Sequence, residues 1–303
     1  MKKESFPTGV LLTLLSATGL SLAGLLGKVG TSLLSLEAMI FWRFFVAFIL
    51  CLLISWITGE FHYGFSFNNP KRHLLRAVFV FAAQYSFYYY IQRSTLLDGL
   101  VLLSLGPLFI PFIERIVMRN GIGKSTWIGL IVSCVGMLCV LQPDAGIFSS
   151  LSLVGAFAGF SQGCSQVVLG MSTRHERPRL SITYVFLFCT LFSLFPYLVL
   201  EQGTPPHHAE KWIVGALILG LGIASVLNQL ARALAYQHST PSKLATFLYF
   251  SILLGGIFDW LFFGRIPNTL SIIGACLVIA GGVLKLYLRK VFLKNFTHSN
   301  KVK

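Results

Sequence analysis

The stretch Gln92-Arg93-Ser94-Thr95 returns 145 residues later as Gln237-His238-Ser239-Thr240. Carried along the chain without a gap, the same shift sets Gln84 on Gln229, Gly129 on Gly274, Gly136 on Gly281 and acidic Glu114 on acidic Asp259. An internal duplication therefore runs from about residue 84 to 138 and again from 229 to 283. The tetrapeptide itself reads as a turn before a helix. Thr95 stands as an N-cap with Asp98 three residues on, and Thr240 as an N-cap with Pro241 at the favoured first helical position.

Composition says what is being duplicated. Of the 303 residues 55% are hydrophobic and 11% charged, and the mean hydropathy is +0.76, which excludes an ordinary water-soluble domain. The apolar residues come in blocks of about 20, the length that crosses a hydrocarbon core of roughly 30 Å as a helix. An all-α membrane protein of ten transmembrane helices is predicted, near 8–27, 37–57, 74–92, 95–117, 126–141, 151–172, 181–200, 212–236, 241–262 and 270–288. Lys2 and Lys3 before the first block resemble the start of a signal peptide, but that block is long enough to span and is expected to stay as the first helix.

The expected halves are 1–146 and 147–303, five helices each. Because five is odd, the second copy must enter the membrane from the opposite side, giving two inverted five-helix repeats of the kind found in secondary transporters. Such halves supply two similar arrangements, one open to each side, so alternating access is the expected mechanism.

The net charge of +14 has to be placed before it is interpreted. With the N-terminus inside, eighteen of the 24 Lys and Arg fall in cytoplasmic segments, Arg76 among them, and four outside. Arg43 and Arg232 lie within helices. This satisfies the positive-inside rule, places both termini in the cytoplasm and implies no nucleic-acid partner. The basic tail from Lys285 to Lys303 is a topology signal that can also touch anionic lipid headgroups. The six cysteines lie in apolar blocks without C-x-x-C spacing, and His207-His208 alone make a poor metal site, so no cofactor or metal is expected.

Ser104-Leu-Gly-Pro-Leu-Phe109, Trp127-Ile-Gly-Leu-Ile-Val-Ser-Cys-Val-Gly136 and Ile272-Ile-Gly-Ala-Cys-Leu-Val-Ile-Ala-Gly281 resemble the glycine-rich helices of the EamA-type family of the drug/metabolite transporter superfamily. With the length, the ten helices and the duplicated halves, the resemblance covers essentially the whole chain. It departs at Asn120 and Arg265, where the family often has Gly-Glu, and at Ile252, which replaces the proline matched by Pro107. The resemblance implies transport of amino acids or of adenosyl amino acids such as S-adenosylmethionine, in a bacterial-type inner membrane, driven by a coupling proton or by an exchange substrate.

Polar groups at membrane depth are costly, and each is a candidate for the substrate site. Gln84 and Gln229 are related by the repeat and either face each other across a central cavity or bond neighbouring helices. Gln162 and Gln166, at i and i+4, aim together. Arg43 suits a substrate carboxylate, or an internal pair with Glu37. Arg232 is expected to snorkel towards the cytoplasm. Tyr85 and Tyr88 share a face with Gln84 and suit a planar or cationic ligand by stacking. Glu114, expected near the cytoplasmic side, and Asp259, expected near the outer side, are candidates for gating or proton coupling; the alternative for Glu114 is a surface pair with Arg115 or Arg119.

No phosphate-binding glycine loop occurs, so ATP hydrolysis by this chain is not expected. The rival class, an intramembrane enzyme, needs converging nucleophile, base or metal ligands, and neither G-x-S-x-G nor H-E-x-x-H is present, so no catalytic residue is assigned. A non-transporting membrane scaffold is the third reading.

Overall fold

The computed structural model describes residues 5–59, 70–119, 123–141, 150–172, 177–200 and 211–264, and thirteen positions between 269 and 288. Two of the three residues at which the pattern departs from the resemblance, Asn120 and Arg265, lie outside the described residues, as do His207, His208 and the cations of the tail. The described residues are helical, with no strand among them.

Eleven helices are delimited: α1 (Phe6–Gly30), α2 (Leu36–Ile57), α3 (Pro70–Arg93), α4 (Leu96–Leu103), α5 (Gly106–Met118), α6 (Lys124–Leu141), α7 (Ser150–Ser172), α8 (Pro178–Leu200), α9 (Lys211–His238), α10 (Pro241–Leu244) and α11 (Phe250–Phe263). The described positions from 269 to 288 are helical too. Seven segments among the described residues are long and apolar enough to cross a membrane. The pair α4–α5 counts as one of these, and so does Pro241–Phe263. α3 is not among them, since Arg72, His73, Arg76 and Gln84 interrupt its apolar run.

The distribution of side chains is that of a protein dissolved in lipid. Leu11, Trp56, Phe195, Leu198 and Ile116 point outward, while arginines, amides and hydroxyls are buried. Hydrocarbon costs an apolar surface nothing, whereas an unsatisfied polar group there costs several kcal/mol, on the order of a lost hydrogen bond or more. This is an integral multi-pass membrane protein.

The fourth apolar block departs from the expected single helix 95–117. Pro107 has no N–H for the carbonyl of Leu103, and the chain tightens instead, with Leu105 N donating to Leu102 O (3.1 Å) and Leu108 N to Leu105 O (3.0 Å). The corresponding block of the second copy carries Ile252 in place of the proline, yet it also breaks, into a 3-10 segment over Ala245–Tyr249. That irregularity is set by tertiary packing and not by a missing donor.

α1 packs on α9 and α11; α3 packs on α7 and α8; α2 packs on α8 and α9; α5 packs on α7, and α4 on α11. α1 and α9 are antiparallel, since Gly9 lies against Ala235 and His238 while Gly30 lies against Leu217. α1 and α3 end together, where the Lys28 ammonium donates to the carbonyls of Ile91 and Ser94. α3 and α9, the helices that carry Gln84 and Gln229, therefore run in opposite directions. Glycines permit the closest crossings: a Cβ on Gly19 would meet the backbone of Asn228 at 2.8 Å, and one on Gly163 the carbonyl of Gly106 at 2.9 Å.

Candidate functional site

α3 places Arg76, Gln84 and Tyr88 at multiples of four residues, and α9 places Ser225, Gln229, Arg232 and Tyr236 at spacings of four, three and four. Each set falls on one helical face, and all seven residues are buried.

Arg43 bridges the two faces from α2. It is 3% exposed; its Nη1 donates to Gln84 Oε1 at 2.7 Å and its Nε to Ser225 Oγ at 2.7 Å. The guanidinium carbon sits 4.8 Å from the centre of the Tyr88 ring and 5.4 Å from that of Phe44, within cation–π range. The Tyr88 hydroxyl donates to the carbonyl of Ala23 on α1 at 3.0 Å. Gly27, one turn further along α1, lies against the same ring. Tyr88 is thus a platform fixed at both its hydroxyl and its flank. The expected alternative pair does not form, because Glu37 instead accepts from the Tyr85 hydroxyl at 3.1 Å.

Arg76, expected among the cytoplasmic cations, is 1% exposed and packed inside the bundle. α3 begins at Pro70, four residues before the predicted start, and carries Arg76 into the bundle. There its Nη2 donates to Gln229 Oε1 at 2.8 Å and its Nη1 makes a long contact to Ser181 Oγ at 3.4 Å. Arg232, also 1% exposed, does not snorkel. Its Nε donates to Ser16 Oγ on α1 (3.0 Å) and its Nη2 to Asn228 Oδ1 (2.8 Å), which also accepts from the Ser16 hydroxyl at 2.8 Å.

Gln84 and Gln229 do not bond each other. Each gives its oxygen to an arginine of another helix, Gln84 to Arg43 and Gln229 to Arg76. That leaves the Gln84 Nε2 buried without an acceptor. On α7, Gln166 accepts from the Tyr236 hydroxyl at 2.8 Å, while the Gln162 Oε1 is buried without a donor. Tyr85 is half-buried near the start of α2.

Amide and hydroxyl oxygens satisfy the directional hydrogen bonds of a guanidinium without neutralising its charge. A net positive charge in a low-dielectric interior attracts an anion, and the planar fork of arginine fits a carboxylate. The arrangement can take and orient an acidic ligand.

The two acids are elsewhere. Glu114, 1% exposed, accepts from the backbone N–H of Ser242 at 3.0 Å, and Asp259, 4% exposed, accepts from the backbone N–H of Leu97 at 2.7 Å. Neither is a surface residue. The donors, Leu97 and Ser242, are themselves 145 residues apart, so the first copy caps the start of α10 as the second caps the start of α4. Helix N-termini favour such carboxylates. Thr95 Oγ1 accepts from Asp98 N at 2.9 Å as expected, but Thr240 makes no side-chain cap to the backbone. Glu114 serves in its place.

Sequence reasoning missed Arg76, Ser225, Asn228 and Ser16. The face shared by Arg76 and Gln84, and the 225–229–232–236 spacing on α9, were the signals available.

Among known proteins, the chain is 24% identical to the pseudopaline exporter CntI of Pseudomonas aeruginosa over 92% of this chain and 96% of that one. It is 21% identical to an S-adenosylmethionine uptake transporter of Rickettsia prowazekii over 95% of each. It is 26% identical to a riboflavin transporter of Vibrio cholerae over 60% of this chain and 59% of that one. A solved crystal structure shares the fold with a TM-score of 0.76 at 14% identity, covering 95% of this chain and 99% of that chain. The EamA-like transporter family model matches twice, over residues 7–142 and 150–287, and the chain belongs to that family.

Proposed function

We propose that this protein is a secondary active transporter that moves a small polar metabolite bearing a carboxylate across a bacterial-type inner membrane by alternating access. The observation that carries the reading is Arg43: a buried guanidinium, held by Gln84, Ser225 and the face of Tyr88, with no acidic partner among the described residues. The substrate supplies that partner. Arg43 and Gln84 hold the carboxylate, with Tyr88 backing the guanidinium; Gln229, Gln162, Gln166 and Tyr85 contact the rest of the molecule. Amino acids and S-adenosylmethionine-like compounds are the first substrates to test, the latter because a relative similar over the whole chain is an S-adenosylmethionine uptake transporter.

The architecture of this reading is ten membrane helices in two inverted halves, 1–146 and 147–303, with both termini cytoplasmic. It is supported by the opposite directions of α3 and α9, by the family pattern occurring twice, and by the exchange of helix partners between copies, α1 on α9 matching α3 on α7. Glu114 and Asp259 are the gates. Each fastens the start of a helix in the other half, Glu114 at the cytoplasmic end and Asp259 at the outer end, and each must let go when its side opens. A proton, or an exchanged substrate, drives the cycle.

Purified protein in vesicles, assayed for accumulation or exchange of labelled metabolites, tests the proposal. Uptake that vanishes in Arg43→Gln supports it; a wild-type protein that moves no member of a broad panel overturns it.

A further inference from the structure

Arg43 is not the only buried charge left without an anion. Arg232 is held by Ser16 and Asn228, both neutral, and its Nη1 is buried with no hydrogen-bond partner. Among the described residues neither Arg43 nor Arg232 forms an ion pair. Two uncompensated guanidinium groups in one bundle are expensive, because each is taken out of water without an opposing charge. A single carboxylate relieves only one of them.

The two lie along the same helix. Arg43 reaches α9 at Ser225, seven residues before Arg232, a rise of about 10 Å at the helical repeat. Between them α9 presents Gln229, whose oxygen is taken by Arg76, a third buried guanidinium. Gln84 Nε2 at the first position and Arg232 Nη1 at the second are donors without acceptors. Each position therefore offers N–H groups and positive charge and asks for an oxyanion.

We propose that the substrate carries two ionised acid groups, carboxylate or phosphate, separated by several ångströms, one held by Arg43 and Gln84 and the other by Arg232. This rests on the transporter reading and narrows it. A diacid is selected over a zwitterion with one carboxylate, because the second acid group gains a charge-assisted pair that a neutral or cationic group at that position forfeits. S-adenosylmethionine, with a single carboxylate, is then a weaker ligand than its place among the relatives implies.

The test compares ligands on the intact, purified protein by thermal shift and by competition. The probes are adipate, monomethyl adipate, 3-phosphoglycerate, methionine and S-adenosylmethionine. Wild-type protein is expected to bind adipate or 3-phosphoglycerate roughly tenfold more tightly than the monoester, since each charge-assisted contact is worth about that factor or more. The preference of one diacid over the other says whether carboxylate or phosphate fills the second position. In Arg232→Gln the diacid-to-monoester ratio should fall to about one, and in Arg232→Lys, which keeps the charge, it should be partly restored.

The proposal is overturned if wild-type protein binds monoester, methionine or S-adenosylmethionine as tightly as the diacids, if no probe binds, or if the ratio survives in Arg232→Gln. The wild-type comparison stands even where a variant fails to fold. Diacid binding without movement into vesicles would refute the transport reading and leave the two-acid site in place.

Discussion

Replacing Arg43 by glutamine separates the two consequences of burying a charge. The guanidinium makes two charge-assisted hydrogen bonds of 2.7 Å, worth about 1.5–3 kcal/mol each, and stacks on Tyr88 at 4.8 Å for about another 2 kcal/mol when desolvated. Opposing them is an effective desolvation cost of several kcal/mol, of order the same sum. Arg43→Gln should therefore change the stability of the empty protein by no more than about 2 kcal/mol, in either direction, because gain and cost nearly cancel. Substrate binding has no such cancellation. Removing one partner of a buried charge pair costs roughly 2–5 kcal/mol, about thirtyfold to several thousandfold in affinity. Thermal unfolding of detergent-purified protein reads the first quantity. The concentration dependence of exchange in vesicles, for whichever carboxylate compound the wild type moves, reads the second. A variant that keeps wild-type half-saturation refutes the assignment of Arg43 to the substrate. So does one whose lost transport is matched by a collapse in stability, which would make Arg43 a structural strut.

Gly27→Val puts a branched side chain where Tyr88 now lies, at a cost of about 1–3 kcal/mol for overpacking, and should weaken substrate affinity without altering any polar group; unchanged affinity would free Tyr88 from its role as platform. Glu114→Ala should raise labelling of a cysteine placed at His238 by a thiol reagent applied on the cytoplasmic side, and Asp259→Ala should raise labelling of one at Ser94 from outside; equal labelling in both backgrounds would refute the gate assignment. Thr95→Ala should cost about 1 kcal/mol of thermal stability, a usual cap value, while Thr240→Ala should cost a few tenths at most, by the same scale, because only Thr95 caps its helix.

The all-helical, membrane-spanning character was legible because its signals are local or periodic. Block length marked the helices, and the 145-residue shift marked the duplication without any three-dimensional information. Arg43 and Tyr88 could be singled out because each is conspicuous within one helix: a charge in an apolar run, an aromatic at i+4 from a glutamine. Arg76 was hidden by its flanks. It follows Lys71, Arg72 and His73, and a cation beside others at a block's edge reads as a membrane-surface residue until the helix is seen to start at Pro70. Arg232 was misread for a related reason. Proximity to a helix end favours snorkelling only where the side chain faces lipid, and the face is decided by α1, which meets α9 at Ser16 and Gly19. The cap at α10 is the same lesson in reverse: the threonine was there, but the carboxylate of Glu114, 128 residues away, reaches the Ser242 amide instead.

The positions that obey the repeat and the positions that do not perform different tasks. Gln84 and Gln229, Glu114 and Asp259, and Leu97 and Ser242 are each 145 apart, and each pair makes a contact between helices that its counterpart matches: an arginine held, a helix start fastened. The buried arginines are not repeated. The same shift carries Arg43 to Phe188, Arg76 to Leu221, and Arg232 back to Phe87. Two-fold parts make a device with two comparable states, which alternating access needs. On the proposed transport reading, a metabolite has no such symmetry, so the groups proposed to recognise it have to break the repeat. On this argument Arg232→Phe, which restores symmetry at one site, should abolish the preference for a diacid over its monoester in competition binding while thermal unfolding stays cooperative, because Glu114 and Asp259 still fasten both ends; a preserved preference refutes it.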